Sequence, residues 1–282
     1  MRLLPLAEAI AELVPDGASV ALEGFTHLIP FAAGHELVRQ RRRDLHLVRM
    51  TPDLVYDQLI GMGCARRLTF SWGGNPGVGS LHRLRDAVEN GWPAPLELDE
   101  HSHAGLAAAY CAGAARLPFG MLRGYIGTDL TAHNAAVRSV RCPYTGEQLA
   151  TVPAVNPDVT ILHAQRADRR GNVAIDGIVG AQREAALAAA RVLVTVEEVV
   201  DELPPALNGV ILPHFVVSAV SHCPGGAYPS YAHGLYERDN VFYRDWDDIS
   251  RDRERFLAWM QRHVSGTRDH REFMASLGRA AA

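Results

Sequence analysis

The sequence contains no lysine, so all 28 of its basic residues are arginines. It also lacks any apolar run of the ~18–20 residues that a membrane-spanning helix needs. Glu8 and Glu12 interrupt the apolar start, where a signal peptide would continue. The four cysteines are scattered with no Cys-x-x-Cys pair, which favours reduced thiols over a disulfide framework. Together these absences predict a cytoplasmic protein.

An excess of positive charge is missing as well. The 32 acidic residues outnumber the 28 arginines and leave a net charge of −4. Nucleic-acid-binding domains typically carry a strong basic patch, so we expect neither nucleic acid nor a membrane as a partner. Hydrophobic residues make up 48% of the chain and charged residues 21%, which is typical of a folded protein with a sizeable core.

Helical and strand-like segments alternate along the first 130 residues. Short apolar runs such as Ser19–Leu22, Leu45–Met50 and Phe119–Gly124 predict strands, and the segments between them have helical spacing. A βαβα order with short loops predicts an α/β fold, with an open, mostly parallel sheet flanked by helices.

Two stretches rich in proline, glycine and tyrosine interrupt this alternation. They lie near residues 128–157 and 224–240. After the second stretch, the spacing of apolar residues predicts one amphipathic helix over roughly Ile249–His263. We therefore expect one domain over residues 1–282 with two irregular insertions.

The loops that follow strands are the expected places for chemistry, because ligands of parallel sheets bind beyond the carboxyl ends of the strands. The segment Glu23-Gly24-Phe25-Thr26-His27 directly follows the first predicted strand. Glycine permits close approach of the backbone, and two exposed amides here would form an oxyanion hole. A plain turn between strand and helix is the alternative interpretation.

A second loop, residues 71–80, has four glycines and lies between a predicted strand and a predicted helix. Its backbone N–H groups can wrap around an anion at the helix start. The glycine spacing matches neither the Walker loop nor the dinucleotide-binding fingerprint. The candidate residues here are Gly73, Gly74, Asn75, Gly77, Val78, Gly79 and Ser80.

A third segment, Glu97–His103, brings carboxylates and imidazoles to the end of another strand. Alternation puts Glu97 and Asp99 on one face and predicts Glu100 as the inward carboxylate. A helix cap by Ser102 is the alternative interpretation of this segment. We expect no metal here, because no remote ligand has a recognisable spacing.

The sequence offers no nucleophile motif, since it has no Gly-x-Ser-x-Gly elbow and no cysteine with a flanking signature. The ordered set of loops, however, resembles the A-type chain of the class I coenzyme A transferases from about Leu6 to Gly266. Within that family the likeness is strongest to the A subunits of 3-oxoadipate and glutaconate CoA-transferases. The blocks that carry it are Asp16–Phe25, Glu23–Pro30, Val48–Leu54, Phe70–Ser80, His163–Asp168, Gly171-Asn172 and Pro224–Gly234.

The resemblance implies the CoA-transferase fold and a homologous B subunit, in a heterodimer or heterotetramer. In the family, a glutamate of the B-type chain is the nucleophile and becomes a glutamyl-CoA thioester. The implied substrates are an acyl-CoA such as succinyl-CoA and a carboxylic acid such as 3-oxoadipate, in aromatic catabolism. The CoA ester is then a substrate, and no metal or permanently bound cofactor is expected. This chain would line the shared cleft with Gly24, Phe25, Thr26, His27, Gly73, Gly74, Asn75, Gly77, Val78, Gly79, Ser80, Ser102 and His103.

The sequence departs from the family pattern at two carboxylates. Glu23 stands where the family has the first glycine of Gly-Gly-Phe, and its place in an A-type chain argues against a nucleophilic role. Asp176 stands near Gly177, where 3-oxoadipate enzymes tend to carry a bulky apolar pair. If Asp176 faces the pocket, its charge disfavours a dicarboxylate substrate.

Two other functions remain open from the sequence. Ring-opening C–C hydrolases of CoA esters are similar to the transferases, and their working carboxylate lies in a segment similar to Asp99-Glu100. That likeness makes Glu100 a candidate general base. A non-catalytic acyl-CoA-binding protein is the second alternative. The partner's sequence discriminates the transferase from these alternatives, because only a transferase needs the B-chain glutamate. For His27, we predict that replacement by alanine lowers turnover more than folding stability.

Overall fold

The computed structural model describes residues 2–204 and 209–279. In the first part of the chain, helices and strands alternate as the sequence predicts. These elements are α1 (Leu6–Leu13), β1 (Ser19–Glu23), α2 (Phe31–Arg39), β2 (Leu45–Val48), α3 (Leu54–Gly61), β3 (Ala65–Phe70), α4 (His82–Asn90), β4 (Glu97–Glu100) and α5 (His103–Ala114).

The second part of the chain contains shorter helices and two long strands. Its first elements are β5 (Phe119–Leu122), α6 (Leu130–His133), β6 (Arg138–Arg141), β7 (Gln148–Pro153), β8 (Val159–Asp168), β9 (Val173–Asp176) and α7 (Gln182–Ala188). The last are β10 (Arg191–Val200), β11 (Gly209–Leu212), β12 (Ala219–His222), α8 (Asn240–Arg251), α9 (Arg253–Met260), a π-helical turn at Gln261–Ser265 and α10 (His270–Ser276).

The main sheet is mostly parallel, as predicted. Strands β4, β3, β2, β1 and β8 lie side by side in parallel pairs. The long strand β8 pairs along its length with β10, which in turn pairs with β12, again in parallel. Beyond the end of β1, β8 pairs with β9, and β9 with β11, in antiparallel fashion. The α/β fold class expected from the sequence is therefore confirmed.

The strand predicted at Phe119–Gly124 forms, but it does not join this sheet. Instead β5 and β6 flank β7 in a separate antiparallel sheet. Gly120 lets β5 lie directly on α5, because a Cβ there would come 2.5 Å from the carbonyl oxygen of Ala108. The stretch 128–157, expected to be irregular, contains β6 and β7. Its short strands pair locally, so the parallel-sheet pattern gave no indication of them.

The single helix predicted over Ile249–His263 is wrong, because the chain leaves the helical conformation at Asp252. This residue has φ −104° and ψ 134°, and its carboxylate accepts the backbone N–H of Arg255 at 2.8 Å. Aspartate favours this cap position, where its oxygen satisfies an otherwise free amide. Two helices, α8 and α9, therefore replace one.

Helices cover both faces of the main sheet, and alternation along β1 shows the two layers. Val20 and Leu22 point into the cluster that includes α2 and α3, whereas Ala21 points toward α5 and α7. Because both faces are covered, the carboxyl edge of the sheet is where loops can converge on a ligand. No helix in residues 2–204 and 209–279 is long and apolar enough to cross a membrane.

Candidate active site

The loops after β1, β2 and β3 meet at the carboxyl edge of the main sheet and enclose a cleft of about 180 Å³. The segment that leads into α8 closes one side of it. The lining residues are Phe25, Thr26, Ile29, Arg49, Thr51, Asp53, Trp72, Pro76, Arg238 and Tyr243. The strand-end rule thus predicted the place of the cleft and two of the lining residues, Phe25 and Thr26.

The first of these loops turns sharply at Gly24. A Cβ on Gly24 would lie 2.6 Å from the carbonyl oxygen of Leu28, so a larger residue does not fit. Thr26 follows with a φ of 64°, a left-handed conformation that β-branched residues rarely adopt. Its Oγ1 lies 2.9 Å from Oη of Tyr231. Strained residues of this kind cluster at functional sites, and here Thr26 is exposed at the mouth of the cleft.

His27 is fully buried and does not line the cleft. Its Nε2 lies 2.8 Å from the carbonyl oxygen of Ile178, and its ring stacks on Tyr231 with a centroid distance of 5.0 Å. Burial lowers the pKa of the imidazole, which favours the neutral ring. The position suits a residue that supports Thr26 rather than one that touches substrate.

Glu23 lies beneath the cleft and is 3% exposed. Its Oε1 accepts hydrogen bonds from Oη of Tyr110 at 2.9 Å and from the backbone N–H of Met50 at 3.1 Å. Burial raises the pKa of this carboxyl group, and the nearby charge of Arg49 opposes the rise. Glu23 therefore ties the loops after β1 and β2 together from below.

The loop after β2 supplies a buried ion pair that the sequence analysis did not assign. Nη1 of Arg49 lies 3.3 Å from Oδ1 of Asp53, and Nη2 donates to the carbonyl oxygen of Gly24 at 2.9 Å. Burial raises the pKa of Asp53, with Arg49 opposing it. This loop follows a strand like the other candidates, so the strand-end rule combined with the Arg-x-x-x-Asp spacing would have found it.

The glycine-rich loop closes on itself instead of wrapping around an anion. Asn75 and Gly79 exchange two backbone hydrogen bonds, at 2.8 and 3.0 Å. At the start of α4, the backbone N–H groups of Arg83 and Leu84 donate to Oδ1 of Asp57 at 2.8 and 2.9 Å. Burial raises the pKa of this carboxyl group to about 6. A carboxylate of the protein therefore occupies these two amides at the helix start, and anion binding by the glycine-rich loop itself stays a prediction.

Two residues of the glycine-rich loop, Trp72 and Pro76, do line the cleft. The loop is anchored to α8, because Nδ2 of Asn75 donates to the carbonyl oxygen of Tyr243 at 2.7 Å. Of the predicted residues, Gly74 and Asn75 are buried, Gly73 is half-buried, and the exposed ones are Gly77, Val78, Gly79 and Ser80. The loop thus shapes one wall of the cleft through its flanking apolar residues.

The end of β4 lies one strand beyond the cleft, and its inward carboxylate is Asp99. Oδ2 of Asp99 accepts from Thr69 at 3.0 Å, and Oδ1 accepts from Nδ2 of Asn134 at 2.9 Å. Glu100 is exposed. The predicted inward orientation of Glu100 is wrong, because the segment that carries Asn134 covers the opposite face of this edge strand.

Ser102 and His103 begin α5 rather than lining the cleft. Oγ of Ser102 accepts the backbone N–H of Gly105 at 3.1 Å and so caps the helix, which agrees with the alternative interpretation of this segment. His103 is exposed on the first turn. Any contact of Glu100, Ser102 or His103 with a substrate stays a prediction.

Arg238 and Tyr243 complete the cleft from the far end of the sequence. Both belong to the segment around the start of α8, and the sequence predicts an irregular stretch there up to residue 240. No local pattern marks either residue, because tertiary packing alone brings this segment to the sheet edge. Among the described residues, no three His, Cys, Asp or Glu side chains come together as a metal site requires.

A mostly parallel sheet with helices on both faces and a cleft at its carboxyl edge defines an α/β protein with a ligand site at the strand ends. Residues 4–222 match the family model for coenzyme A transferase. This chain therefore belongs to the coenzyme A transferase family, as its loops predicted.

The chain is similar to three known proteins over nearly its whole length. It is 64% identical over 276 residues to the A subunit of 3-oxoadipate CoA-transferase from Pseudomonas knackmussii, covering 98% of both chains. Glutaconate CoA-transferase of Acidaminococcus fermentans has a solved structure that matches with a TM-score of 0.91 at 30% identity, covering 99% of this chain and 93% of that one. The cholesterol ring-cleaving hydrolase IpdA subunit of Rhodococcus jostii is 28% identical over 290 residues, covering 94% of this chain and 93% of that one.

Proposed function

We propose that this chain is the A subunit of a heteromeric 3-oxoadipate CoA-transferase of the cytoplasm. With its B subunit it converts succinyl-CoA and 3-oxoadipate into succinate and 3-oxoadipyl-CoA. The observation that carries the proposal is the 64% identity to a protein of that name over 98% of both chains.

The chemistry is an exchange of one thioester for another, so it needs no ATP. The B-chain glutamate attacks the acyl carbonyl and CoA thiolate leaves, giving an anhydride. The thiolate then attacks the glutamyl carbonyl, which releases succinate and leaves a glutamyl-CoA thioester. The acceptor acid repeats these steps in reverse.

Asp53 is the one carboxylate among the described residues that line the cleft, and it is paired with Arg49. This pairing supports a nucleophile from the partner chain.

The turn after β1 is suited to stabilise the oxyanions of these steps. Among the described residues, no backbone carbonyl accepts the N–H of Phe25 or Thr26. Both residues line the cleft. In known enzymes, one such donor lowers the barrier by about 3–4 kcal/mol. The two amides therefore remain available for a developing negative charge.

Exposed apolar side chains of the loop after β3 support a partner that covers the cleft. Trp72, which lines the cleft, and Val78 of the same loop are 46% and 40% exposed. Contiguous exposed apolar surface commonly marks a protein–protein interface. A B-type chain seated here would bring its glutamate to the cleft.

The contacts of Asp176 support a dicarboxylate substrate, although its charge would disfavour one if it faced the pocket. Its backbone N–H and carbonyl pair with the side chain of Gln165, and its Oδ1 lies against Gly209 of the neighbouring strand β11. Asp176 is also not among the residues that line the cleft. Its charge therefore lies away from a bound acid.

The test is a CoA-transfer assay with the chain co-expressed with its B subunit. Succinyl-CoA serves as donor, and 3-oxoadipate, glutaconate and acetate serve as alternative acceptors. We expect kcat/KM for 3-oxoadipate to exceed the others by about tenfold or more, which is a typical specificity ratio for one well-placed group. If CoA is transferred only to glutaconate or acetate, that acid and not 3-oxoadipate is the acceptor. Hydrolysis or ring opening without any new thioester would favour the hydrolase alternative.

A further inference from the structure

We propose that Arg238 binds the second carboxylate of a dicarboxylic acid and so selects dicarboxylates over monocarboxylates. The inference rests on the proposed function, in which the acids exchanged carry two carboxylates. Arg238 lines the cleft in the segment that enters α8, and it also borders a neighbouring pocket beside Asp239.

The guanidinium of Arg238 is held in a fixed orientation. Its Nη2 donates to the carbonyl oxygen of Pro76 at 2.6 Å, and its plane lies over the ring of Tyr243 at 3.7 Å from the centroid. The next residue, Asp239, caps α8 by accepting the N–H groups of Val241 and Phe242. The stacking on Tyr243 and the hydrogen bond to Pro76 fix the guanidinium, so its other N–H donors are oriented before a ligand binds.

Arg238 also has charge and donors to spare. No described acidic side chain forms an ion pair with it, although its charge acts with that of Arg49 to lower the pKa of Asp53, the ion-pair partner of Arg49. No described residue accepts a hydrogen bond from Nη1 of Arg238, and its buried Nε has no partner either. A buried donor without a partner is costly, so this arginine is suited to a bound anion.

The size of the cleft favours a small acid over the nucleotide end of CoA. At about 180 Å³ it is smaller than the pockets of ~300–1,000 Å³ that hold drug-sized ligands. Carboxylates pair well with the planar guanidinium fork through charge-assisted hydrogen bonds. Because Arg238 and the Phe25–Thr26 turn line the same cleft, a dicarboxylate bound through one carboxylate to Arg238 would leave the other for the proposed reaction at that turn.

The test isolates the acceptor step. The A–B complex is first converted to its CoA adduct with succinyl-CoA, excess donor is removed, and an acceptor is added in a single turnover. The two acceptors are 3-oxoadipate and 3-oxohexanoate, which has the same chain without the terminal carboxylate.

We expect wild type to discharge faster with 3-oxoadipate. We expect Arg238→Gln to slow that reaction by about 30-fold or more, as for loss of one member of a buried charged pair. The same substitution should change the rate of discharge by 3-oxohexanoate by less than threefold, because this acid has no terminal carboxylate for Arg238 to bind.

Two further variants sharpen the result. Arg238→Lys keeps the charge without the planar fork, so its loss with 3-oxoadipate should be intermediate. Arg169→Gln removes an exposed arginine, paired with Asp201, that does not line the cleft, and both discharge rates should match wild type. Equal slowing of both acceptors by Arg238→Gln would indicate a structural role for Arg238 and overturn the inference.

The wild-type complex provides a test even if Arg238→Gln does not fold. Equal discharge of the wild-type adduct by both acceptors would overturn the selection of dicarboxylates and leave the proposed transferase intact. If no CoA adduct forms on either chain, the proposed function fails first, and this inference fails with it.

Discussion

His27 lies where the turn after β1 meets the segment after β9. The sequence suggested a pocket residue whose loss affects turnover more than stability, but the imidazole is fully buried between Ile178 and Tyr231. We therefore expect His27→Ala to lower the free energy of unfolding by about 2–4 kcal/mol, as for other large-to-small changes in a core. Thermal and denaturant unfolding of the purified protein would measure it.

The matched control is the exposed neighbour His233, whose ring lies 6.4 Å from that of His27. His233→Ala should change the free energy of unfolding by less than about 0.5 kcal/mol, as is usual for surface positions. If both variants unfold like wild type and His27→Ala alone loses turnover, the original sequence-based expectation is correct and this structural one is not.

At the scale of single residues, sequence could identify the cleft only where position along the chain implies position in space. Phe25 and Thr26 directly follow a strand, and strand ends converge, so they were predicted. Arg238 and Tyr243 reach the same cleft through packing of distant helices, which no local pattern encodes. His27 is buried although a polar side chain in a loop is normally exposed, because a backbone carbonyl satisfies it. Its effect on turnover stays a prediction.

Among the elements, the contact between α5 and β5 depends on a glycine. A Cβ at Gly120 would meet the backbone of Ala108 at 2.5 Å, whereas at Gly124 the nearest atom is 3.9 Å away and belongs to the side chain of Leu122. Gly120→Ala should therefore lower the free energy of unfolding by about 1–3 kcal/mol through overpacking. Gly124→Ala should cost much less. Equal melting temperatures for the two variants would contradict this packing.

Helix α10 introduces a pH dependence through His270. Its Nε2 donates to the carbonyl oxygen of Gly225 at 2.8 Å, and burial lowers the pKa of the ring to about 4. The unfolded chain takes up this proton near pH ~6.5, whereas the folded chain does not until about 4. Stability from this group is therefore complete above pH ~6.5 and is lost at about 1.4 kcal/mol per pH unit as the pH falls through that window.

His270→Gln removes the titrating group, so its melting temperature should fall less steeply than that of wild type between pH ~6.5 and 4.5. Thermal melts of both proteins across this range would measure the difference. Parallel curves would show that His270 titrates normally and would refute the assignment. A lower but flatter curve for the variant agrees with it, since the hydrogen bond to Gly225 is weakened at every pH.

Two features that the sequence did not predict each have a physical cause. The strands β6 and β7 pair locally in a small antiparallel sheet, so the alternation that indicated the parallel sheet did not include them. The break between α8 and α9 lies at one aspartate within a continuous apolar pattern, and a cap leaves that pattern unchanged. By contrast, the helices and strands before Ala114 alternate strictly, and sequence predicted them.

For the whole molecule, the fold and the family followed from the order of several loops rather than from any one motif. The match of residues 4–222 to the coenzyme A transferase family confirms that interpretation. The charges in the cleft agree with the proposed nucleophile from a partner chain. The described residues that line it include two arginines and one carboxylate, Asp53, which is paired with Arg49, and the lining residue Trp72 is 46% exposed. A partner that carries the nucleophile would complete it.

The intact mass of the co-expressed A–B complex after incubation with succinyl-CoA tests this account most directly. We expect a mass increase equal to covalently attached CoA on the B chain, none on this chain, and loss of the increase when 3-oxoadipate is added. An increase on this chain would contradict the proposal that the partner supplies the nucleophile. No adduct on either chain, with the CoA ester consumed, would contradict the transferase mechanism itself.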